Sequence, residues 1–261
     1  MTLVLISLAL YVVATGMLAG ALRVDAASPA DGWRIPATLA MGLHASVHIL
    51  AWHQRQGPDL HFFAALSLVG LGMAALTTFV ARRERLAALG VFALPLAGGL
   101  MVAYRAHGPG PATPLDWRLQ LHAALALLAY ATLAVAAVLA VTLALQERAL
   151  RRREFHGWLR ALPPLVQLES LLFRTITAGF VVLTAAMLTG VLFVEDLLAQ
   201  HLAHKTVLSV LSWLVFGGLL LGRHRYGWRG ARAVRWTLVA MALLVLAYFG
   251  SKFVIELLLA R

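Results

Sequence analysis

Apolar residues fall in eight long runs, each bounded by charge, glycine or proline: Leu3–Leu22, Pro36–Trp52, Phe62–Ala81, Leu86–Tyr104, Leu119–Leu145, Thr175–Leu198, Thr206–Leu221 and Val234–Leu259. A membrane helix needs about 20 such residues. The runs lack the polar/apolar alternation of a barrel strand, so the spanning elements are helices. The second and seventh runs are the shortest and are interrupted by polar residues. The predicted fold is all-α: a polytopic integral membrane bundle of about eight transmembrane helices. It forms one membrane domain over 1–261, with four helices in 1–104 and the remainder in 105–261. Nothing positive precedes the first run and Arg23 follows it. It therefore reads as a retained helix, not a secretory signal.

Two connections carry a pattern of their own. Within Gln146–Arg174, the stretch His156–Phe173 mixes Trp158, Leu159, Leu162, Leu165, Leu168, Leu171 and Leu172 with Arg160 and Glu169, and is broken by Pro163 and Pro164. That pattern predicts a short amphipathic helix on the cytoplasmic face, with an ordinary solvated loop as the alternative. The loop Arg105–Trp117 is rich in glycine and proline and predicts irregular backbone.

Composition supports the spans. Of 261 residues, 61% are hydrophobic and 13% charged, against about 45–50% and about 25% in a soluble domain. A soluble enzyme, a disordered chain and a coiled coil are excluded. Cysteine is absent, so there is no disulfide scaffold, thiolate metal site, CxxC pair or covalent haem attachment. The net charge of +11 lies in short loops, where it records orientation and contact with anionic lipid rather than nucleic acid. With the N-terminus outside, 16 of the 22 Lys and Arg residues fall in inner loops, all but Arg55, Arg105, Arg118, Lys205, Lys252 and Arg261. Both termini are then expected on the outer, periplasmic side of a bacterial inner membrane.

The orientation sorts the ten histidines. His156 and His224 fall on the cytoplasmic side. His44 and His48 lie in the second run, and His53, His61, His107, His122, His201 and His204 lie at or near the outer face. Without cysteine, imidazole is the main ligand for haem iron or for Zn, Cu or Ni. Met17, Met41, Met73, Met101, Met187 and Met241 add thioether sulfurs.

His44 and His48 share a helix face at i,i+4. A polar ring in the bilayer usually faces a bundle interior, which makes His44 a functional candidate and His48 an interfacial packing residue. His53 and His61 read as solvated loop residues, and His201 as either a ligand or a wet loop residue. Lys252 and Glu256, also four apart, read as a mutually neutralising pair, or more sharply as an ion pathway. Glu195-Asp196 reads as a solvated acid pair. No Ser/His/Asp set, phosphate loop or HExxH motif occurs.

Several stretches resemble the cytochrome c assembly protein family, the CcsA/ResC/CcmC type of haem handler. Gln120-Leu121-His122-Ala123 with Ala129-Tyr130-Ala131 is similar to the start of its conserved region. Leu162-Pro163-Pro164-Leu165, Leu168-Glu169 and Phe173-Arg174 resemble its amphipathic segment. Gly179-Phe180, Leu183-Thr184 and Gly190 resemble the next helix. Ser212-Trp213, Arg223 and Gly227-Trp228-Arg229-Gly230 follow, then Tyr248-Phe249-Gly250. The order runs from about residue 118 to the C-terminus. The small size and the His44 helix look most like the short HemX/YpjD-like branch.

The resemblance implies non-covalent, b-type haem presented at the outer face by two histidines flanking a Trp-rich segment. His122 matches the first of these histidines, and His44 is a candidate for a membrane histidine. The segment Val194 to Thr206 stands where the Trp-rich stretch belongs and contains no Trp; only Lys205 matches it. The second outer histidine has no counterpart after Gly250, and His201 or His204 is a possible substitute. The leading expectation is therefore a haem-binding protein that ligates and passes haem rather than catalysing a reaction. His122, His44 and His204 are its candidate iron ligands. Lipid and other cytochrome c assembly or haem-pathway membrane proteins are its partners. Two alternatives stay open: a non-haem regulatory or scaffold subunit, and a small ion or metal permease using His44, His48, Lys252 and Glu256.

Overall fold

The computed structural model describes residues 1–23, 31–79, 87–108, 110, 115–153, 163–193 and 200–258. Among these residues every regular element is helical. The long helices are α1 (Thr2–Arg23), α2 (Arg34–Arg55), α3 (Phe62–Phe79), α4 (Ala87–His107), α5 (Trp117–Arg151), α6 (Leu165–Phe193), α7 (Gln200–Tyr226) and α8 (Gly230–Val245). Each of the eight lies in a segment long and apolar enough to cross a membrane. The chain divides into two compact units, Met1–Pro114 with Arg152–Pro164, and Leu115–Arg151 with Leu165–Arg261.

In the first unit α1 packs on α2 and α4, and α3 packs on α2 and α4. Lipid tails are as apolar as side chains, so close backbone approach must supply the packing energy. The core is accordingly rich in alanine: Ala14, Ala37, Ala40, Ala74 and Ala97 surround Tyr11, Leu18 and Trp33. At Gly70 a Cβ would sit 3.2 Å from the Ala97 backbone, so any larger residue there would push α3 from α4. A 3-10 turn, Asp31–Trp33, plants Trp33 in the core before α2 begins.

In the second unit α5 lies along α6, α8 packs on α5 and α7, and α6 packs on α7. The arginine-rich end is closed by Glu169, whose Oε1 lies 2.7 Å from Arg223 and 3.0 Å from Arg229. The α7–α8 turn needs two glycines with positive φ, Gly227 at 64° and Gly230 at 54°. The N–H groups of Gly227 and Trp228 return to the carbonyls of Arg223 and Gly222.

Two expectations are corrected here. Leu165–Phe173 is not a separate surface helix but the first turns of α6, a 29-residue helix. Leu168 and Leu172 are buried in the bundle, and the acid that made the segment look amphipathic is neutralised by two arginines. Pro163 and Pro164 lie just ahead of the helix, where a missing N–H costs nothing. Likewise His201 and His204 are not in a loop, because α7 begins at Gln200. The first part of the stretch His156–Phe173, residues 156–162, and Glu195 and Asp196 lie outside the described residues.

Beyond α8 the helix widens into π turns over Leu246–Gly250 and Phe253–Leu258. For the first of these the cause is a side chain in the ladder. The Tyr130 hydroxyl donates to the Leu244 carbonyl and accepts from the Tyr248 N–H, standing between two groups that an α-helix would join directly.

Candidate functional site

The second unit holds a cavity of about 240 Å³. Its wall is aliphatic and aromatic, with Ala126, Leu183, Met187, Leu244, Tyr130 and Tyr248 among the lining residues. Into this wall α5 brings His122 and α7 brings Lys205. The widened end of α8 contributes Ala247 and Tyr248, so Tyr130 shapes the cavity as well as lining it.

His122 is held from one side only. Its Nδ1 lies 2.9 Å from the Ala186 carbonyl and 3.3 Å from Thr189 Oγ1. A carbonyl only accepts, so Nδ1 carries the proton and donates. The neutral ring then keeps the Nε2 lone pair for another partner. This is how metal-ligating histidines are usually oriented. The ring has room because residue 190 is glycine; a Cβ there would stand 3.1 Å from His122 Cε1.

Those features fit a haem. The site offers one oriented imidazole, an apolar wall, two aromatic rings and a single cation. The volume is a little below the range of about 300–1,000 Å³ for cofactor sites, but the cavity is not closed. Val191 on its edge is exposed.

His44 is placed differently. It sits in the first unit at 0% exposure with both nitrogens engaged. The Tyr11 hydroxyl is 3.2 Å from Nδ1 and Ser67 Oγ is 2.8 Å from Nε2. Ser67 also lies 3.0 Å from His48 Nε2. The four groups can be satisfied in either proton direction. If Tyr11 donates to His44, then His44 donates to Ser67 and Ser67 to His48; every bond can also reverse. Neither direction leaves His44 a lone pair for a metal. His48 packs as its position suggests, with its ring 4.6 Å from Tyr104 and 5.6 Å from His44.

The Tyr104 hydroxyl continues the cluster by donating to Asp59 Oδ2 at 3.3 Å. His61 is not a solvated loop residue: its Nδ1 is 2.6 Å from Asp59 Oδ1. The Gly110 N–H also donates to Asp59, and Arg55 donates to the Gly110 carbonyl, tying the two loops together. Burial alone would raise the Asp59 carboxyl. The hydrogen bond and charge of His61, with the N–H groups of His61 and Gly110, outweigh it and hold the carboxyl below its ordinary range.

His204 is exposed and lies outside the cavity lining, although it precedes Lys205. His53 is exposed as expected, but it lies in the last turn of α2 rather than in a loop. Lys252 and Glu256 pair at 2.7 Å, as their spacing predicts. No group of three or more His, Asp or Glu residues able to hold a metal ion occurs among the described residues. The residues that sequence reasoning left out of the site are Tyr130, Met187, Gly190 and Lys205. Three of them stood in family-like stretches, but nothing in the order of residues said they converge.

A family model described as cytochrome C assembly protein matches residues 35–259. The chain belongs to the cytochrome c assembly protein family. The inner membrane protein YpjD of Escherichia coli (strain K12) is 32% identical over 239 residues, 87% of this chain and 89% of its own length. A protein of Azospirillum brasilense, named as an uncharacterized 28.8 kDa protein in the nifR3-like 5′ region, is 37% identical over 217 residues, 80% of this chain and 78% of its own. The cytochrome c biogenesis protein CcsA of Synechococcus sp. (strain CC9605) is 30% identical over 86 residues, 32% of this chain and 28% of its own. No solved structure matches. With eight helices long and apolar enough to cross a membrane among its described residues, this family member is a multi-span protein of the inner membrane.

Proposed function

We propose that this protein handles haem in cytochrome c biogenesis, holding it without covalent attachment in the cavity lined by His122. The observation that carries the reading is the state of that imidazole. Its Nδ1 is committed to the Ala186 carbonyl, it borders an apolar cavity, and Gly190 leaves it space. Bound haem would supply an iron atom that the neutral His122 imidazole could ligate. The chain's own part is to orient His122, to keep water from the ring with Leu183, Leu244 and the two tyrosines, and to balance charge with Lys205. No covalent bond of the haem need change in this role, so the function we propose is binding and passage rather than catalysis.

The His122 end of the second unit is assigned to the outer side of the membrane. The warrant is the bias of Lys and Arg toward inner loops. In this unit most of the arginines gather at the opposite end, around Glu169 and the α7–α8 turn, with Arg118 at the His122 end. Both termini then lie outside. Partner proteins of the same biogenesis process would receive or deliver the haem, as the name of the Synechococcus relative suggests.

The test is the visible spectrum of the purified protein, oxidised and dithionite-reduced, with pyridine haemochrome quantitation. The expected result is a haem spectrum in the native chain, lost in His122→Ala and retained in His204→Ala. Haem absorbance unchanged by His122→Ala would sink the assignment.

A further inference from the structure

Among the described residues Lys205 is the cation that lines this largely apolar cavity. It lies in a membrane-spanning segment, is half-buried, and forms no ion pair among the described residues. The carboxylate in its electrostatic reach is Glu256, and that group is held by Lys252 at 2.7 Å. An ammonium on an apolar, membrane-spanning segment is costly, which makes it a candidate for a ligand contact. The cavity thus presents two polar anchors from different helices, the His122 imidazole from α5 and the Lys205 ammonium from α7, with aliphatic and aromatic wall around them.

That pairing suits a flat amphiphile with a metal at its centre and an anionic edge. Haem has this form: an apolar macrocycle, an iron atom and two propionate carboxylates on one side of the ring. A carboxylate against a partly desolvated ammonium forms a charge-assisted hydrogen bond, roughly twice as strong as a neutral one. We infer that Lys205 receives a haem propionate and so selects porphyrins that carry free carboxylates. The inference rests on the haem reading above and adds the residue that would set the ligand's orientation and specificity. Lys205 is a positioning residue; iron ligation stays with His122.

The experiment is a Soret titration of the full chain in detergent with ferric haem and, separately, with haem dimethyl ester, whose carboxylates are blocked. Native protein, Lys205→Gln, Lys205→Arg and His122→Ala are compared. The native protein is expected to bind haem about tenfold more tightly than the diester. Lys205→Gln should weaken haem to the level of the diester and leave diester affinity unchanged, while Lys205→Arg should keep the preference and show that the fold tolerates change there. A His122-dependent Soret shift with equal affinity for the two ligands, or a preference that survives in Lys205→Gln, overturns the role of Lys205 and leaves the haem site standing. No Soret shift with either ligand, or one that His122→Ala leaves intact, overturns the haem site and this inference with it.

Discussion

The two units each bury a histidine, and the two are opposites. His44 is wholly buried, yet Tyr11 and Ser67 consume both ring nitrogens. His122 is only half-buried, but one nitrogen is tied to Ala186 and the ring borders an apolar cavity. Burial by itself therefore does not leave an imidazole available to a ligand. What counts is a lone pair left over after the surroundings are satisfied, together with space beside it. The first unit spends its imidazoles on holding helices together, and the second keeps one in reserve.

The largest effect that would test this contrast is on the stability of the first unit. His44→Ala removes a buried ring and strands the Tyr11 hydroxyl, while Ser67 keeps His48. Interhelical hydrogen bonds in bilayers average about 0.6 kcal/mol each, so most of the loss is the cavity. The sum should be about 2–3 kcal/mol. Thermal unfolding in detergent should show it, while haem content stays at the native level. A His44→Ala protein of native stability that has lost its haem would reverse the comparison.

A smaller effect is expected at Gly190. Adding one methyl in Gly190→Ala places a carbon 3.1 Å from the His122 ring. The ring must turn, its bond to Ala186 weakens, and haem affinity should fall about tenfold, near 1.4 kcal/mol. The Soret titration reads this directly, and unchanged affinity would mean that the ring has more freedom than the packing implies.

The smallest effect is a pH dependence confined to the first unit. Asp59 is held below its ordinary range by His61 and two backbone N–H groups. Its contribution to stability is complete above the unfolded carboxylate value, about 3.9. It is lost as pH falls through the lower folded value, because the unfolded chain takes up the proton first. Stability measured downward from pH 6 should drop more steeply in the native protein than in Asp59→Asn. Parallel curves would show that the Asp59–His61–Gly110 link between loops is not stabilising.

The spans were legible because hydrophobic length is a local property. Runs such as Phe62–Ala81 and Leu119–Leu145 coincide with α3 and α5 within a few residues at most of their ends. The i,i+4 pair of Lys252 and Glu256 was legible for the same reason, since helix geometry alone brings the two together. Over the described part of its stretch, Leu165–Phe173, the amphipathic reading failed where local pattern met a distant partner. Glu169 looked like a group for solvent, but Arg223 and Arg229, more than fifty residues on, made it an internal one.

The sequence by itself determined an all-helical membrane protein, its set of spans, the asymmetry of its arginines and the family it belongs to, because each follows from composition or from residue order. It also singled out His122, His44 and His204 as imidazoles worth comparing. Only the tertiary structure shows how their surroundings differ. Whether a ring nitrogen is free depends on groups that arrive from other helices: Ser67 from α3 and Tyr11 from α1 for His44, and Ala186 from α6 for His122. The exposure of His204 and the placing of Lys205 in the cavity depend on where α7 starts and which way its first turns face. Those are properties of packing, in which residues far apart in the chain satisfy or spare one another, and no local pattern encodes them.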